Sequence, residues 1–228
     1  MSKKKWRIVR KISVIAYFLT AICAAGVTNS QDRRAELELL LAIPSAQSAC
    51  GMEDRMKLET LMSIKERRSV RSYRKEQISK EELDAVLEAG TYAASGMGRQ
   101  PAKMVVVQEP ELIAKLSKMN GAVMGANSDP FYGAPTVVIV FADTNAGTWL
   151  QDGSLVMGNL MLAAYAVGLG SCWINRAKEM FESAEGKALR KEWGIADTYA
   201  GVACCILGYA DGPLSEAKPR KNDYIVRV

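Results

Sequence analysis

The chain has 228 residues, 49% of them hydrophobic and 24% charged, and carries a formal net charge of +5. The excess is concentrated: residues 1–55 hold nine Lys/Arg against five Asp/Glu, whereas residues 56–228 hold 21 against 20, so no polyanion- or nucleic-acid-binding surface is expected of the main body. No histidine is present, which excludes Ser-His-Asp and Cys-His catalysis and removes the commonest zinc ligand.

The first segment reads differently from the rest. Lys3, Lys4, Lys5, Arg7, Arg10 and Lys11 precede an uncharged apolar run from Ile12 to Thr28, the pattern of an export signal or a short membrane span. Neither Cys23 nor Cys50 sits in a lipobox, and Leu37–Ile43 adds a second apolar stretch. The competing reading places the start of translation at Met52, Met56 or Met62. Both stay open, and we divide the chain into a signal- or anchor-like or spurious extension, 1–55, and a domain, 56–228. The second reading puts the protein in the cytoplasm. The first would export it or anchor it through residues 1–28.

From Leu58 onward the expected order is helix, helix, strand, helix, strand, helix, strand, helix, strand and tail. Leu58, Leu61 and Met62 make a short helical stripe that ends at a basic run. Ser79 with Glu82 forms a capping box ahead of Leu83, Val86 and Leu87 on one face. Met104–Gln108 is a short strand. Pro110 opens a helix with Leu112, Ile113 and Leu116 inward, expected to stop near Gly121. Thr136–Ala142 is apolar throughout and reads as a central strand.

Ser154–Val167 is the most informative helix. It leaves almost no polar face, so it must be buried on all sides, either centrally or between subunits. Ser171–Ile174 and Val202–Tyr209 follow as strands. Cys204 and Cys205, adjacent in an apolar run, read as small core residues of a reducing compartment. The tail from Lys218 to Val228 is basic, then strand-like, with no helix left to cover it.

Four segments hold polar chemistry. RRSVRSY, residues 67–73, could hold a phosphate through its guanidinium groups and Ser69. YAASGMGRQPAK, residues 92–103, lets backbone approach a flat ligand, with Ser95 and Gln100 as polar contacts. GLGSCWIN, residues 168–175, leads glycines into a strand bearing Trp173, and AKPRKNDY, residues 217–224, is a second cationic cluster. Taken singly, each also fits a solvated loop or a core element. No Walker A or G-x-G-x-x-G motif is present, nor a C-x-x-C pair.

Taken together, their order and spacing, with FYGAP before the central strand and DGSLVMGNLMLAAYAVGLGSCWI after it, resemble the nitroreductase family along nearly all of residues 57–228. The likeness is greatest to its compact, clostridial-type members. The resemblance implies an α+β fold, a mixed sheet flanked by helices, in a homodimer with exchanged C-terminal arms and FMN at the interface. Arg67, Arg68 and Ser69 match the phosphate- and ribityl-binding segment, and Arg71 the cation near the pyrimidine edge of the flavin. A position that is often Asn falls at Gly98. Gln100 and Pro101 match, but the Trp that often follows is Ala102. Trp173, Ile174, Asn175 and Arg176 align with the segment whose backbone N–H reaches flavin N5. Lys218 and Arg220 match C-terminal phosphate contacts that typically come from the partner subunit. The implied activity is transfer of electrons from NAD(P)H to a small acceptor by a ping-pong mechanism. No protein acid or base and no metal is implied. A flavin store or redox sensor with little turnover is the alternative.

Overall fold

The computed structural model describes residues 59–126 and 128–228. The basic and apolar N-terminal runs, the alternative starts at Met52 and Met56, and Cys23, Cys50 and Leu58 lie outside the described residues.

Residues 59–66 form a helix, α1, and the chain then runs extended through 67–73. Helix α2 (Lys80–Thr91) begins where its capping signal sits: Ser79 Oγ accepts the Glu82 N–H, and the Glu82 carboxylate accepts the Ser79 N–H in return. Strand β1 (Ala102–Val107) and helix α3 (Pro110–Met124) follow, with Pro110 in the first turn, where its missing N–H costs nothing. Helix α3 does not stop at Gly121. A side chain there would meet the Ala126 and Ser128 carbonyls, so glycine permits that approach while the helix continues to Gly125, which caps it at φ 65°.

Strand β2 (Thr136–Asp143) leads to helix α4 (Trp149–Ala166). The helix starts more than a turn before Ser154, because Asp152-Gly153-Ser154 resembles a turn but is helical. The Asp152 carboxylate takes the Thr148 hydroxyl at 2.8 Å across the first turn. Strand β3 (Gly170–Ile174) precedes two short helices, α5 (Ala177–Glu182) and α6 (Ala184–Glu192), in place of the single helix expected there. Ser183 breaks them in extended backbone and caps α6, its Oγ accepting the Gly186 N–H. Strand β4 (Tyr199–Gly208) completes the sheet.

The strands lie in the order β1-β2-β4-β3 and pair antiparallel throughout, so the mixed character of this α+β fold enters only through an isolated parallel bridge between Ser69 and Ser171. Helices cover both faces, which is why residues 137–142 of β2 and 202–207 of β4 are apolar without alternation. On one face Val137, Ile139, Phe141, Cys204 and Ile206 meet Leu116 and Met119 of α3 and Met180 and Phe181 of α5. On the other, Val138, Val140, Cys205 and Leu207 meet Leu83 and Val86 of α2 and Val156, Met157, Leu160 and Ala164 of α4. Cys204 and Cys205 thus face opposite layers, both fully buried and unpaired, and burial pushes the Cys204 thiol up to about 12.

Two segments keep apolar surface open in the single chain. Helix α4 is not enclosed within one protomer, since Leu150 and Leu155 are about half exposed, at 47% and 49%. The tail beyond Gly212 forms no strand and is exposed, including Tyr224, Ile225 and Val226.

Candidate functional site

The extended run 67–73 is clamped at one end of the sheet. Val70 donates its N–H to the Ser171 carbonyl at 2.9 Å, Arg74 to Tyr209 at 3.0 Å, and Asp211 to Ser72 at 3.0 Å. Tyr73, bridged to Ala210, is buried and donates its hydroxyl to the Val70 carbonyl at 2.8 Å. Burial, with Cys172 and Cys205 nearby, pushes the Tyr73 hydroxyl far above its ordinary range, so it is a structural donor rather than a proton source.

The arginines of this run are only partly satisfied. Arg68 gives Nη1 to the Lys65 and Arg67 carbonyls, at 2.6 and 2.7 Å. Its Nε, and Nη1 of Arg67, are buried without a hydrogen-bond partner among the described residues. Donors of permanently charged groups are costly to bury unpaired, so these nitrogens call for an anionic acceptor. Farther along the run is a hollow of about 260 Å³ lined by Ser69, Arg71, Ser72, Gly212 and Ser215 among others.

Trp173, Ile174, Asn175 and Arg176 continue along the same edge. Strand β3 is an outer strand, and its Ser171 carbonyl points outward to Val70. Backbone groups alternate in direction along a strand, so the Trp173 N–H also faces the open side. The strand ends at Ile174, and Arg176 turns the chain with φ 74°, in the left-handed region, as the cap of α5. The structure therefore sets the run holding Arg67, Arg68, Ser69 and Arg71 against the start of the strand that leads to Trp173, Ile174, Asn175 and Arg176.

Ser95, Gly98 and Gln100 are elsewhere. Ser95 Oγ accepts the Gln100 N–H at 3.0 Å, and the Gly96 N–H is held by Asp152 Oδ1 at 3.0 Å. Met97, Gly98 and Gln100 all have positive φ, at 56°, 66° and 49°. Gly98 has open space around it, and the Met97 side chain is 87% exposed. This loop feeds β1, the opposite edge of the sheet from β3, about 14 Å away at ordinary strand spacing. One protomer does not bring these residues to Arg67 and Ser69.

Nor does it bring Lys218 and Arg220 there. Both are exposed, and Arg220 Nε donates to the Lys218 carbonyl at 3.1 Å. Their arm does start at the site, since Asp211 is bonded to Ser72. Sequence reasoning missed Asp152, the buried acid that fixes the 95–100 loop, and Asn120, a fully buried amide on α3. The available signal was a lone acid or amide within an otherwise apolar helical stripe. Among the described residues, no group of acidic or cysteine side chains could hold a metal ion, and no helix is long and apolar enough to cross a membrane.

Comparison with known proteins gives the family and the fold. The sequence model of the nitroreductase family matches residues 64–209. A protein of Archaeoglobus fulgidus, named provisionally as an NADH dehydrogenase/NAD(P)H nitroreductase, is 33% identical over 159 residues, which are 66% of this chain and 85% of that protein. The crystal structure of a Bacteroides fragilis nitroreductase with bound FMN is 32% identical, with a TM-score of 0.69, over 75% of this chain and 98% of that one. An FMN-dependent nitroreductase of Clostridium difficile is 28% identical, with a TM-score of 0.68, over 75% and 99% of the respective chains.

Proposed function

We propose, on the premise that this chain belongs to the nitroreductase family, that it is an FMN-dependent oxidoreductase which passes electrons from NAD(P)H to a small acceptor such as a nitroaromatic or a quinone. The observation that carries the reading is the pair of buried, unpartnered guanidinium nitrogens of Arg67 and Arg68 beside the open edge of β3. They suit one terminal phosphate, and the chain has no dinucleotide motif to suit a second nucleotide half.

When bound, the flavin supplies the hydride chemistry itself. Arg67, Arg68 and Ser69 hold the phosphate and ribityl chain. Arg71 places a fixed positive charge near the pyrimidine edge, where reduction leaves negative charge. Backbone N–H groups between Trp173 and Arg176 orient the ring. No side-chain acid or base is required, which agrees with a chain lacking histidine. NAD(P)H and the acceptor use the same space in turn, a ping-pong cycle.

The site is completed by a second copy. Ser95, Gly98 and Gln100 lie on the opposite sheet edge from Arg67 and Ser69, and the half-exposed apolar residues Leu150 and Leu155 of α4 need a cover. A two-fold dimer packed on α4 supplies both needs, with Lys218 and Arg220 arriving on exchanged arms. Gly98 and Ala102 stand where the family often carries Asn and Trp, so any ring contact at Gly98 would be made by backbone. Three buried free thiols, Cys172, Cys204 and Cys205, favour a reducing, cytoplasmic setting.

The test is direct. The purified protein is expected to be yellow, to release FMN rather than FAD on denaturation, and to oxidise NADH or NADPH in the presence of a quinone or nitroaromatic. A colourless protein that FMN cannot reconstitute refutes the proposal, and tight FMN binding without turnover makes it a flavin store instead.

A further inference from the structure

Asn120 is fully buried in α3 and belongs to no network in the site as read so far. Its Nδ2 donates to the Asn175 carbonyl at 2.8 Å and lies 3.0 Å from Met180 Sδ. Its Oδ1 is buried with no partner among the described residues. A leucine of the same branching would leave no such orphan, so packing alone does not account for an amide here. The amide is spent on one group, the last peptide of β3.

That peptide is where direction matters. The Asn175 C=O and the Arg176 N–H belong to one planar trans unit and point in opposite directions. With the carbonyl drawn inward to α3, the Arg176 N–H is turned outward. Arg176 sits at φ 74°, a conformation unfavourable for a residue with a side chain, and rotation of the peptide would relieve it. The Asn120 bond opposes that rotation. The Asn175 N–H, continuing the alternation of Ser171 and Trp173, faces the open edge of β3. Neither N–H has an acceptor among the described residues.

We propose that Asn120 is a positioning residue that fixes the β3-terminal peptide so that the Asn175 and Arg176 N–H groups are aimed at the flavin ring. This rests on the reading of Trp173–Arg176 as the segment facing the ring. Asn120 touches neither the flavin nor a substrate; it acts only through the Asn175 carbonyl.

The experiment compares Asn120→Leu, which keeps the branching and heavy-atom count and removes the donor, with Asn120→Ser, whose shorter side chain can donate only after a small shift. Melting curves establish that each variant is folded. Hydrogen exchange of the Asn175 and Arg176 amides is measured with and without FMN, and the flavin midpoint potential is measured by spectroelectrochemistry. In the wild type, FMN is expected to slow exchange of at least one of these amides about tenfold, the factor one hydrogen bond sets. Asn120→Leu is expected to abolish that protection, shift the potential, and slow flavin reduction about tenfold with little change in KM for NAD(P)H. Asn120→Ser falls between. Folded, flavin-loaded variants with wild-type protection and potential overturn the proposal. Variants that lose FMN or stability, but whose loaded fraction keeps the wild-type potential, also overturn it, because Asn120 is then merely structural. A wild type that binds no FMN removes the flavin reading and this role together, which separates that failure from the others.

Discussion

Asp152 reaches back across 56 residues of chain to accept the Gly96 N–H at 3.0 Å. Its other oxygen takes the Thr148 hydroxyl, so a carboxylate only 4% exposed ties the start of α4 to the loop that carries Ser95, Gly98 and Gln100. Gly96 has no room for a side chain at that point, since one would collide with Thr148 Oγ1. The loop's run of positive φ angles is thus held from a single buried acid.

Asp152→Ala is expected to destabilise the fold by about 2–3 kcal/mol, because two charge-assisted bonds are lost and the Gly96 N–H is left without its acceptor. Asp152→Asn, which keeps an acceptor oxygen, is expected to cost less. Denaturant melts check the order, and trypsin cleavage after Arg99 should accelerate in the alanine variant. Equal stability of the two variants would contradict the carboxylate's role as the anchor.

Arg67→Ala and Arg220→Ala are each expected to weaken FMN binding about tenfold or more, as the loss of one charge-assisted interaction of roughly 1.5–3 kcal/mol implies. For Arg67 the ground is a buried Nη1 with no partner among the described residues. For Arg220 it is position alone, on an arm that leaves the site at Asp211. Fluorescence titration of released FMN separates them. An effect for Arg67 with none for Arg220 would keep the phosphate site and remove the arm from it.

Where the structural signal was local, the sequence carried it. The capping box of Ser79 and Glu82, the apolar run of β2, the proline opening of α3 and the glycines ahead of β3 each depend on residues a few positions apart. What escaped depends on distance. Asp152 and Asn120 take their meaning from Gly96 and Asn175, 56 and 55 residues away. The early start of α4 was hidden because Asp-Gly-Ser is also a turn signature, and the break at Ser183 because a helix cap and a helix interior differ there by one side-chain bond. The candidate site residues were legible as segments, yet their division between the two edges of the sheet required the strand order.

Glu82 and Tyr209 set an acid limit on stability. Tyr209 donates to Glu82 Oε2 at 2.7 Å, joining the end of β4 to the start of α2. That bond, chiefly, with the Ser79 N–H and hydroxyl adding, holds the Glu82 carboxyl below its ordinary value of 4.5. A carboxyl depressed in the folded state adds stability above its unfolded value, and the benefit is lost as pH falls through the folded value. Tyr209→Phe should therefore lower Tm at neutral pH and converge on the wild type in acid. A Tm difference that is the same at pH 7 and pH 3, or about so, would show that the bond is not ionisation-linked.

The C-terminal arm is the last element to test, because it decides whether the site belongs to one chain or two. From Gly212 onward the chain has no regular structure in the protomer, yet it ends in Tyr224, Ile225, Val226 and Val228, all strongly exposed. Apolar residues at the end of an unsupported arm are unfavourable in water and favour a second surface. The half-exposed Leu150 and Leu155 of α4 pose the same problem on the body of the domain. Truncation after Gly212 removes Lys218, Arg220 and the apolar end while leaving the Asp211–Ser72 bond and the whole sheet intact. The truncated protein is expected to fold, to show a lower mass by light scattering, and to lose flavin in proportion. Substitution of Leu155 by Glu tests the helix surface separately, since a buried unpaired charge between two copies of α4 would weaken the dimer. If truncation removes flavin but the dimer survives, α4 alone holds the copies and the arm serves only the phosphate. If both survive, Lys218 and Arg220 are solvated surface, and Arg67, Arg68 and Ser69 hold the cofactor phosphate without them.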